Sequence, residues 1–425
     1  HPHVSSEKIA VVHNGIIENH HELRLDLESA GYIFASETDT EVVAHLVHRE
    51  VASNGDFKSG VVSALALLRG AYAVGVVHTD HPGKIIAARV GSPLVVGCGI
   101  GENFIASDPQ ALRPVTDRFI YLDEGEIVEI TADTIEIFGG SDVPTDSRIV
   151  RLDATADATD KGGYRHYMMK EIHEQPDSVR RTLEGRITDK QVLINAFGAE
   201  AELIFSQTKA VQIVACGSSF YTGLVAKYWC EQIVGVPCHV EIASEFRYRK
   251  VAVQPNTLMV TISQSGETAD TLAALRDATD ENYLASLCLC NVPNSSLVRE
   301  SDLCLMINAG PEICVASTKA FTNQLTDLML LVLALAKSQG MSPEDEAGYV
   351  SALNSVPSLL KETLSRDSEI KVVAEQFVDK HHALFLGRGM HHPVALEGAL
   401  KLKEISYIHA EGYPAGELKH GPLAL

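Results

Sequence analysis

Leu258-Met259-Val260-Thr261-Ile262-Ser263-Gln264-Ser265-Gly266-Glu267-Thr268-Ala269-Asp270-Thr271-Leu272-Ala273-Ala274-Leu275 changes character twice. The first five residues are apolar or β-branched and read as a buried strand. Ser263 to Thr268 then gathers hydroxyls and an amide around one glycine, and Ala269 to Leu275 consists of good helix formers. A strand, a Ser/Gly loop and a helix start together make an anion cradle. Loop amides, hydroxyls and the positive end of the helix dipole all favour a phosphate there. Ser and Thr also cap helices in ordinary βα turns, so the loop alone leaves both readings open. It lacks the Gly-Lys-Ser/Thr ending of a nucleoside-triphosphate loop, which points to a phosphorylated metabolite.

The same rhythm surrounds this stretch. Val211 to Ala215 leads into Cys216-Gly217-Ser218-Ser219 and a helix through Trp229. His239 to Ala243, Thr257 to Ile262, Tyr283 to Cys290 and Leu303 to Ile307 read as further strands, which predicts a parallel, doubly wound sheet. Ala383 to Leu386, followed by Gly387-Arg388-Gly389 and another helix, repeats the pattern as a second α/β copy beginning near residue 350 and cut short by the chain end. Two facing copies place a ligand between the carboxyl ends of their strands. Residues 1 to 150 are different, rich in strand-like runs with two helical patterns, Glu18 to Ala30 and Thr40 to Ala52, and read as an α+β or sandwich-like unit. Arg151 to Gly163 is polar and weakly patterned, a linker, and Tyr167 to Leu183 is a helix candidate. The expected domains are thus 1–150, a linker over 151–170, 171–348 and 349–425.

At 425 residues the chain is too long for one core. Lys+Arg 35 against Asp+Glu 56 gives a net charge of -21, with no block of consecutive cations, which speaks against nucleic acid and anionic membrane as partners. The eight cysteines are scattered, with no metal-ligand spacing, so no metal or cofactor is expected, and reduced, mostly buried thiols fit a cytoplasmic protein. The longest strongly apolar run, Leu328 to Ala336, is too short to span a bilayer.

Three further constellations carry chemistry. His13-Asn14-Gly15 follows a strand, and an Asn amide beside a Gly N–H can stabilise an oxyanion; Asn-Gly is equally a common hairpin turn. Val394 to Ser406 reads as a helix with Glu397, Lys401 and Glu404 on one face. Two carboxylates flanking an ammonium can exchange protons, and a solvated salt-bridge stripe has the same spacing. The apolar character of the remaining faces favours a buried stripe with a chemical role. His420 stands in a Gly/Pro loop as a candidate acid or base, and Val315-Ala316-Ser317-Thr318-Lys319 offers hydroxyls at a helix start, where N-capping is the simpler explanation.

Taken in order, His13-Asn14-Gly15, Ser36 to Glu41, Cys216 to Ser219, Ser263 to Thr268, Val315 to Lys319, Glu397 to Glu404 and Glu417 to Pro422 closely resemble the glutamine–fructose-6-phosphate aminotransferase (isomerizing) family, over essentially the whole chain. The resemblance implies an α/β multidomain protein: a class II, N-terminal-nucleophile glutaminase sandwich followed by two SIS (sugar isomerase) doubly wound domains, the second truncated. It implies glucosamine 6-phosphate made from fructose 6-phosphate and glutamine, as the first step towards UDP-N-acetylglucosamine. Asn14 and Gly15 would form the oxyanion hole, and Asp39 would bind the α-amino group of glutamine. Ser218, Ser219, Ser263, Gln264, Ser265 and Thr268 would hold the sugar phosphate, with Val315 and Ser317 lining the site. Glu404 would move the proton between sugar carbons 1 and 2, assisted by Lys401 and Glu397. His420 would open the sugar ring from a neighbouring subunit, implying a homodimer.

The chain departs from the family at both ends. The family's nucleophile is an N-terminal cysteine, whereas this chain begins at His1 and its first cysteine is Cys98. The Arg-Trp-Ala-Thr-His segment is missing, and the only tryptophan is Trp229. The Schiff-base lysine is expected beyond Leu425. The chain therefore reads as an internal piece, inactive in both half-reactions. The alternatives are an SIS-domain isomerase or deglycase, or a sugar-phosphate sensor, without glutaminase activity. The N-terminal half argues against the first, and the absence of a basic DNA-reading helix against the second.

Overall fold

The computed structural model describes residues 1–139, 144–151, 161–279 and 283–421, and the chain divides into two compact units, His1–Asp157 and Ala158–Leu425. In the first unit β1 (His3–Ser5), β2 (Ile9–Ile17), β3 (Gly70–His78), β4 (Ile85–Val90), β8 (Ile127–Ile130) and β9 (Ile135–Phe138) form a six-stranded antiparallel sheet in the order β1-β2-β3-β4-β8-β9. A second antiparallel sheet runs β10 (Val150–Arg151), β7 (Arg118–Tyr121), β5 (Val95–Cys98), β6 (Asn103–Ala106). Alternation along the central strands builds two cores, because successive side chains point to opposite faces. Val74, Val76 and Ile86 pack with Val43, Leu46 and Phe57 of α2 (Asp39–Asn54) and α3 (Phe57–Leu65), joined by Leu27 of α1 (His20–Ser29). Ala73, Ala87 and Val128 face the other way, onto Val96 and Ile120 of the second sheet. The unit is a helix–sheet–sheet sandwich.

The second unit begins with α4 (Tyr167–Leu183), so the expected linker ends before residue 170; its residues 152–160 lie outside the described residues. After α5 (Ala201–Gln207), a five-stranded parallel sheet follows, in the order β12 (Cys238–Ile242), β11 (Ala210–Ala215), β13 (Thr257–Ser263), β14 (Ala285–Cys290), β15 (Leu303–Met306). α6 (Gly217–Trp229), α7 (Ala243–Phe246), α8 (Ala269–Thr279), α9 (Ser296–Glu300) and α10 (Lys319–Ser338) accompany these strands. β11 and β13 are buried at every position, as central parallel strands require. The core packs them against α10, whose Leu328 and Leu330 to Leu335 are buried, with Met329 partly buried beside them. The order reverses at β11, between β12 and β13, which places the ends of β11 and β13 at a topological switch point.

The chain continues through α11 (Pro343–Leu364) and α12 (Asp367–Glu375) into β16 (His382–Gly387), α13 (His391–Ser406) and β17 (His409–Pro414), a parallel β-α-β unit. This is the expected strand–glycine-turn–helix of the second copy. One expectation is corrected here. α13 is not buried nearly all round, since Val394 is 44% and Ile405 55% exposed. Its charged stripe turns inward instead, because α6 offers polar partners to it.

Candidate functional site

β11 and β13 end side by side, Ala215 paired with Ile262, and each empties into a hydroxyl-bearing turn. In the turn after β13, Ser263 Oγ accepts from the Gly266 amide at 2.9 Å and lies 3.0 Å from Thr268 Oγ1, while Ser265 Oγ accepts from the Glu267 amide at 3.2 Å. Two of the amides expected to meet a ligand are therefore engaged within the turn, and the side chains present the polar surface. Gly266 has φ +68, and a Cβ there would lie 2.0 Å from Ser295 Oγ, so only glycine fits. Glu267 accepts from the Ser296 amide at 2.7 Å and fastens the turn to α9.

Around these turns lies a cavity of about 270 Å³, lined by Ser218, Ser219, Ser263, Gln264, Ser265, Thr268, Val315, Ser317, Lys401 and Glu404, together with Cys216 and Ile262. The sequence had placed the first ten in one site, and the fold brings them together. Val315 and Ser317 arrive on the loop before α10. That loop is held by two carboxylates the sequence did not single out. Glu171 of α4 accepts from the Ile313 and Cys314 amides at 2.6 and 3.1 Å. Glu312 accepts from the Thr318 and Ala320 amides at 2.8 and 3.1 Å and from Ser317 Oγ at 3.1 Å, stabilising the start of α10.

The α13 stripe closes the cavity. Lys401 Nζ stands 2.7 Å from Glu404 Oε2 and 3.4 Å from Glu397 Oε1. It also donates to Ser218 Oγ at 3.1 Å, and Ser218 Oγ donates to Glu397 Oε1 at 2.8 Å. Glu397 is 5% exposed, and burial pushes its carboxyl up, opposed by Lys401 and Ser218. Glu404 is the more open carboxylate of the two. The stripe is thus a graded acid–base cluster, with one carboxylate deep and one at the cavity surface. Gln324, buried on α10, donates its amide to Ser219 Oγ at 3.0 Å. Gln324 belongs to a polar first half of α10, with Thr322, Asn323, Thr326 and Asp327, that precedes its apolar run. His420 does not line the cavity; it is exposed in the short turn Glu417–His420.

Asn14, Gly15 and Asp39 belong to the first unit and form a separate group. His13-Asn14-Gly15 lies within β2, opposite Val74, Ala73 and Tyr72, so the hairpin-turn alternative is overturned. Gly15 has φ +133, and a Cβ would fall 2.1 Å from the Ala71 carbonyl oxygen. The glycine is required by close backbone approach. Asp39, the first residue of α2, accepts from the Ile17 amide at 2.9 Å and stands 3.8 Å from His13 Nδ1, beside the Asn14–Gly15 segment. Burial lowers the affinity of His13 for a proton, against the pull of Asp39.

A parallel sheet whose strand ends carry hydroxyl turns, closed by a carboxylate–lysine helix and preceded by a sandwich unit, defines a two-part protein joining a glutamine amidotransferase to sugar isomerase modules. Family models agree, a "Glutamine amidotransferase domain" over residues 1–114 and a "SIS domain" over 204–334 and 376–425. The whole chain is 59% identical to the glutamine–fructose-6-phosphate aminotransferase (isomerizing) of Pseudomonas syringae, covering 70% of that protein, and 57% identical to that of Escherichia coli, with the same 70% covered. The solved C-terminal domain of glucosamine-fructose-6-phosphate aminotransferase from Francisella tularensis superposes with a TM-score of 0.61 at 53% identity, over 62% of this chain and 74% of that one. The chain belongs to the glutamine–fructose-6-phosphate aminotransferase (isomerizing) family.

Proposed function

We propose that the cavity of the second unit binds fructose 6-phosphate, and that the chain serves the glutamine-dependent conversion of that sugar to glucosamine 6-phosphate plus glutamate. The observation that carries this reading is the cavity at the ends of β11 and β13, where a hydroxyl-rich wall faces the Lys401–Glu404 pair. Ser219, Ser263, Gln264, Ser265 and Thr268 take the phosphate through neutral donors, which suits an anion in a chain of net charge -21. Glu404 moves the proton between sugar carbons 1 and 2, with Lys401 held 2.7 Å from its carboxylate and Glu397 behind. In the first unit Asn14 and Gly15 serve as the oxyanion hole, and Asp39 holds the α-amino group of glutamine. The exposure of His420 away from its own cavity supports its acting on a neighbouring subunit's sugar, and hence a homodimer. The product feeds amino-sugar and UDP-N-acetylglucosamine synthesis in the cytoplasm; among the described residues no helix is long and apolar enough to cross a membrane.

Calorimetry with fructose 6-phosphate tests this reading. A hydrogen bond to a charged group contributes about 1.5–3 kcal/mol, so Ser265→Ala and Thr268→Ala should each weaken binding about tenfold to a hundredfold. Binding that both variants leave unchanged would remove the phosphate assignment. Binding without any glutamine-dependent amino-sugar formation by the full-length protein would favour a sensor or simple isomerase.

A further inference from the structure

Ser218 and Ser219 are adjacent at the start of α6 and both line the cavity, yet their hydroxyls are engaged in opposite senses. A serine hydroxyl has one proton to donate and two lone pairs to accept with. Ser218 Oγ gives its proton to Glu397 Oε1 at 2.8 Å and accepts from Lys401 Nζ at 3.1 Å. Ser219 Oγ accepts from the Gln324 amide at 3.0 Å, which leaves its proton for a ligand in the cavity. The oxygens of a phosphate dianion accept hydrogen bonds and do not donate them. Ser219 is therefore primed for a phosphate and Ser218 is not.

The environment of Glu397 fixes the direction of the Ser218 bond. Its carboxylate is buried, and Oε2 has no hydrogen-bond partner among the described residues. Oε1 carries the contacts that hold the group, with Ser218 at 2.8 Å and Lys401 at 3.4 Å. Turning the Ser218 proton towards a sugar phosphate would leave a desolvated carboxylate with one longer contact. The other groups facing the cluster are Glu404 on α13, Tyr221 on α6, whose phenol is pushed up by burial and by Glu397, and Cys314 on the loop before α10, which senses Lys401. Neither Tyr221 nor Cys314 bonds to Glu397 in place of the serine.

We propose that Ser218 is a positioning residue of the Glu397–Lys401–Glu404 cluster, its hydroxyl bridging the buried carboxylate to the lysine, and that the phosphate is held by Ser219 and the turn after β13 without it. The binding part of this proposal rests on the sugar-phosphate reading of the cavity. The bridging part stands on the hydrogen bonds alone.

Two measurements on the full chain test it. Fructose 6-phosphate affinity is measured for Ser218→Ala and Ser219→Ala, and the Glu397 carboxyl is titrated by carbon-13 NMR of side-chain-labelled glutamate, assigned with Glu397→Gln. Ser219→Ala should weaken binding about tenfold or more, whereas Ser218→Ala should stay within about threefold of the parent. Removing the Ser218 donor should move the Glu397 midpoint upward, Ser218→Thr should restore it, and the weak thiol donor of Ser218→Cys should leave it between the two. Equal losses of affinity in the two alanine variants would overturn the division. So would a Glu397 midpoint that Ser218→Ala does not move. If the parent protein binds no fructose 6-phosphate, the sugar-phosphate reading fails separately. The Glu397 midpoint then decides the bridging role, upward in its favour and unmoved against it.

Discussion

Glu397 shows how one buried carboxyl shapes both chemistry and stability. Burial raises its affinity for a proton above the ordinary glutamate value of about 4.3. Between the unfolded and folded midpoints the native state thus binds more protons than the unfolded state, so the Glu397 contribution to stability falls as pH rises through that window. Glu397→Gln removes this slope. The stability of the variant relative to the parent, measured by urea unfolding, should rise as pH climbs from the ordinary glutamate range through the raised folded midpoint and then level off; a difference that stays flat throughout would show that the fold leaves this carboxyl unperturbed. Gly15 and Gly266 carry the complementary lesson. Each is fixed by an atom a Cβ would strike, the Ala71 carbonyl oxygen and Ser295 Oγ, and neither constraint can be read from the adjacent residues.

At the scale of elements, the parallel strands decide which thiols can react. β14 carries Cys288 and Cys290 between β13 and β15, and both are fully buried. Burial pushes the Cys290 thiol up to about 11, and only the thiolate is nucleophilic. Cys98, Cys230 and Cys238 are likewise buried, whereas Cys216, Cys304 and Cys314 are partly accessible. Without denaturant, a charged disulfide reagent followed by peptide mapping should label the last three and leave the other five at least about a hundredfold slower. Rapid labelling of Cys290 would mean that β14 opens readily. The same strands aim the chemistry. α10 brings Gln324 to Ser219 from its buried side, and its first turn receives the loop that Glu171 and Glu312 hold by its amides.

For the whole molecule, charge and ligand oppose each other. A net charge of -21 repels an anionic sugar phosphate at long range, while the cavity, on the proposed reading, would attract it through short-range donors and Lys401. Salt screens the first effect more than the second, since the Debye length shrinks from about 30 Å at 0.01 M to about 8 Å at 0.15 M. Stopped-flow association of fructose 6-phosphate should therefore quicken a few-fold over that range, with dissociation nearly constant. Slower association at higher salt would instead reveal a cationic steering field around the cavity.

Much of this was legible in the linear sequence. The buried run before Ser263, the hydroxyl turns, the bounds of α4 and α6 and the spacing of Glu397, Lys401 and Glu404 follow from local periodicity and turn chemistry, which a short window contains. The ordered motifs added the family. α3 and β9, by contrast, gave no separate signal, because short elements take their stability from partners across the sandwich. Asn14-Gly15 carries the signature of a turn, yet nine residues of pairing with β3 draw it into a strand. α13 looked buried on its apolar faces, whereas its charged stripe is the side that faces α6. Which serine gives its proton to Glu397 and which keeps it for a ligand depends on Gln324 and Lys401, more than a hundred residues away. Hydrogen-bond direction is set by distant partners, so only the tertiary structure decides it.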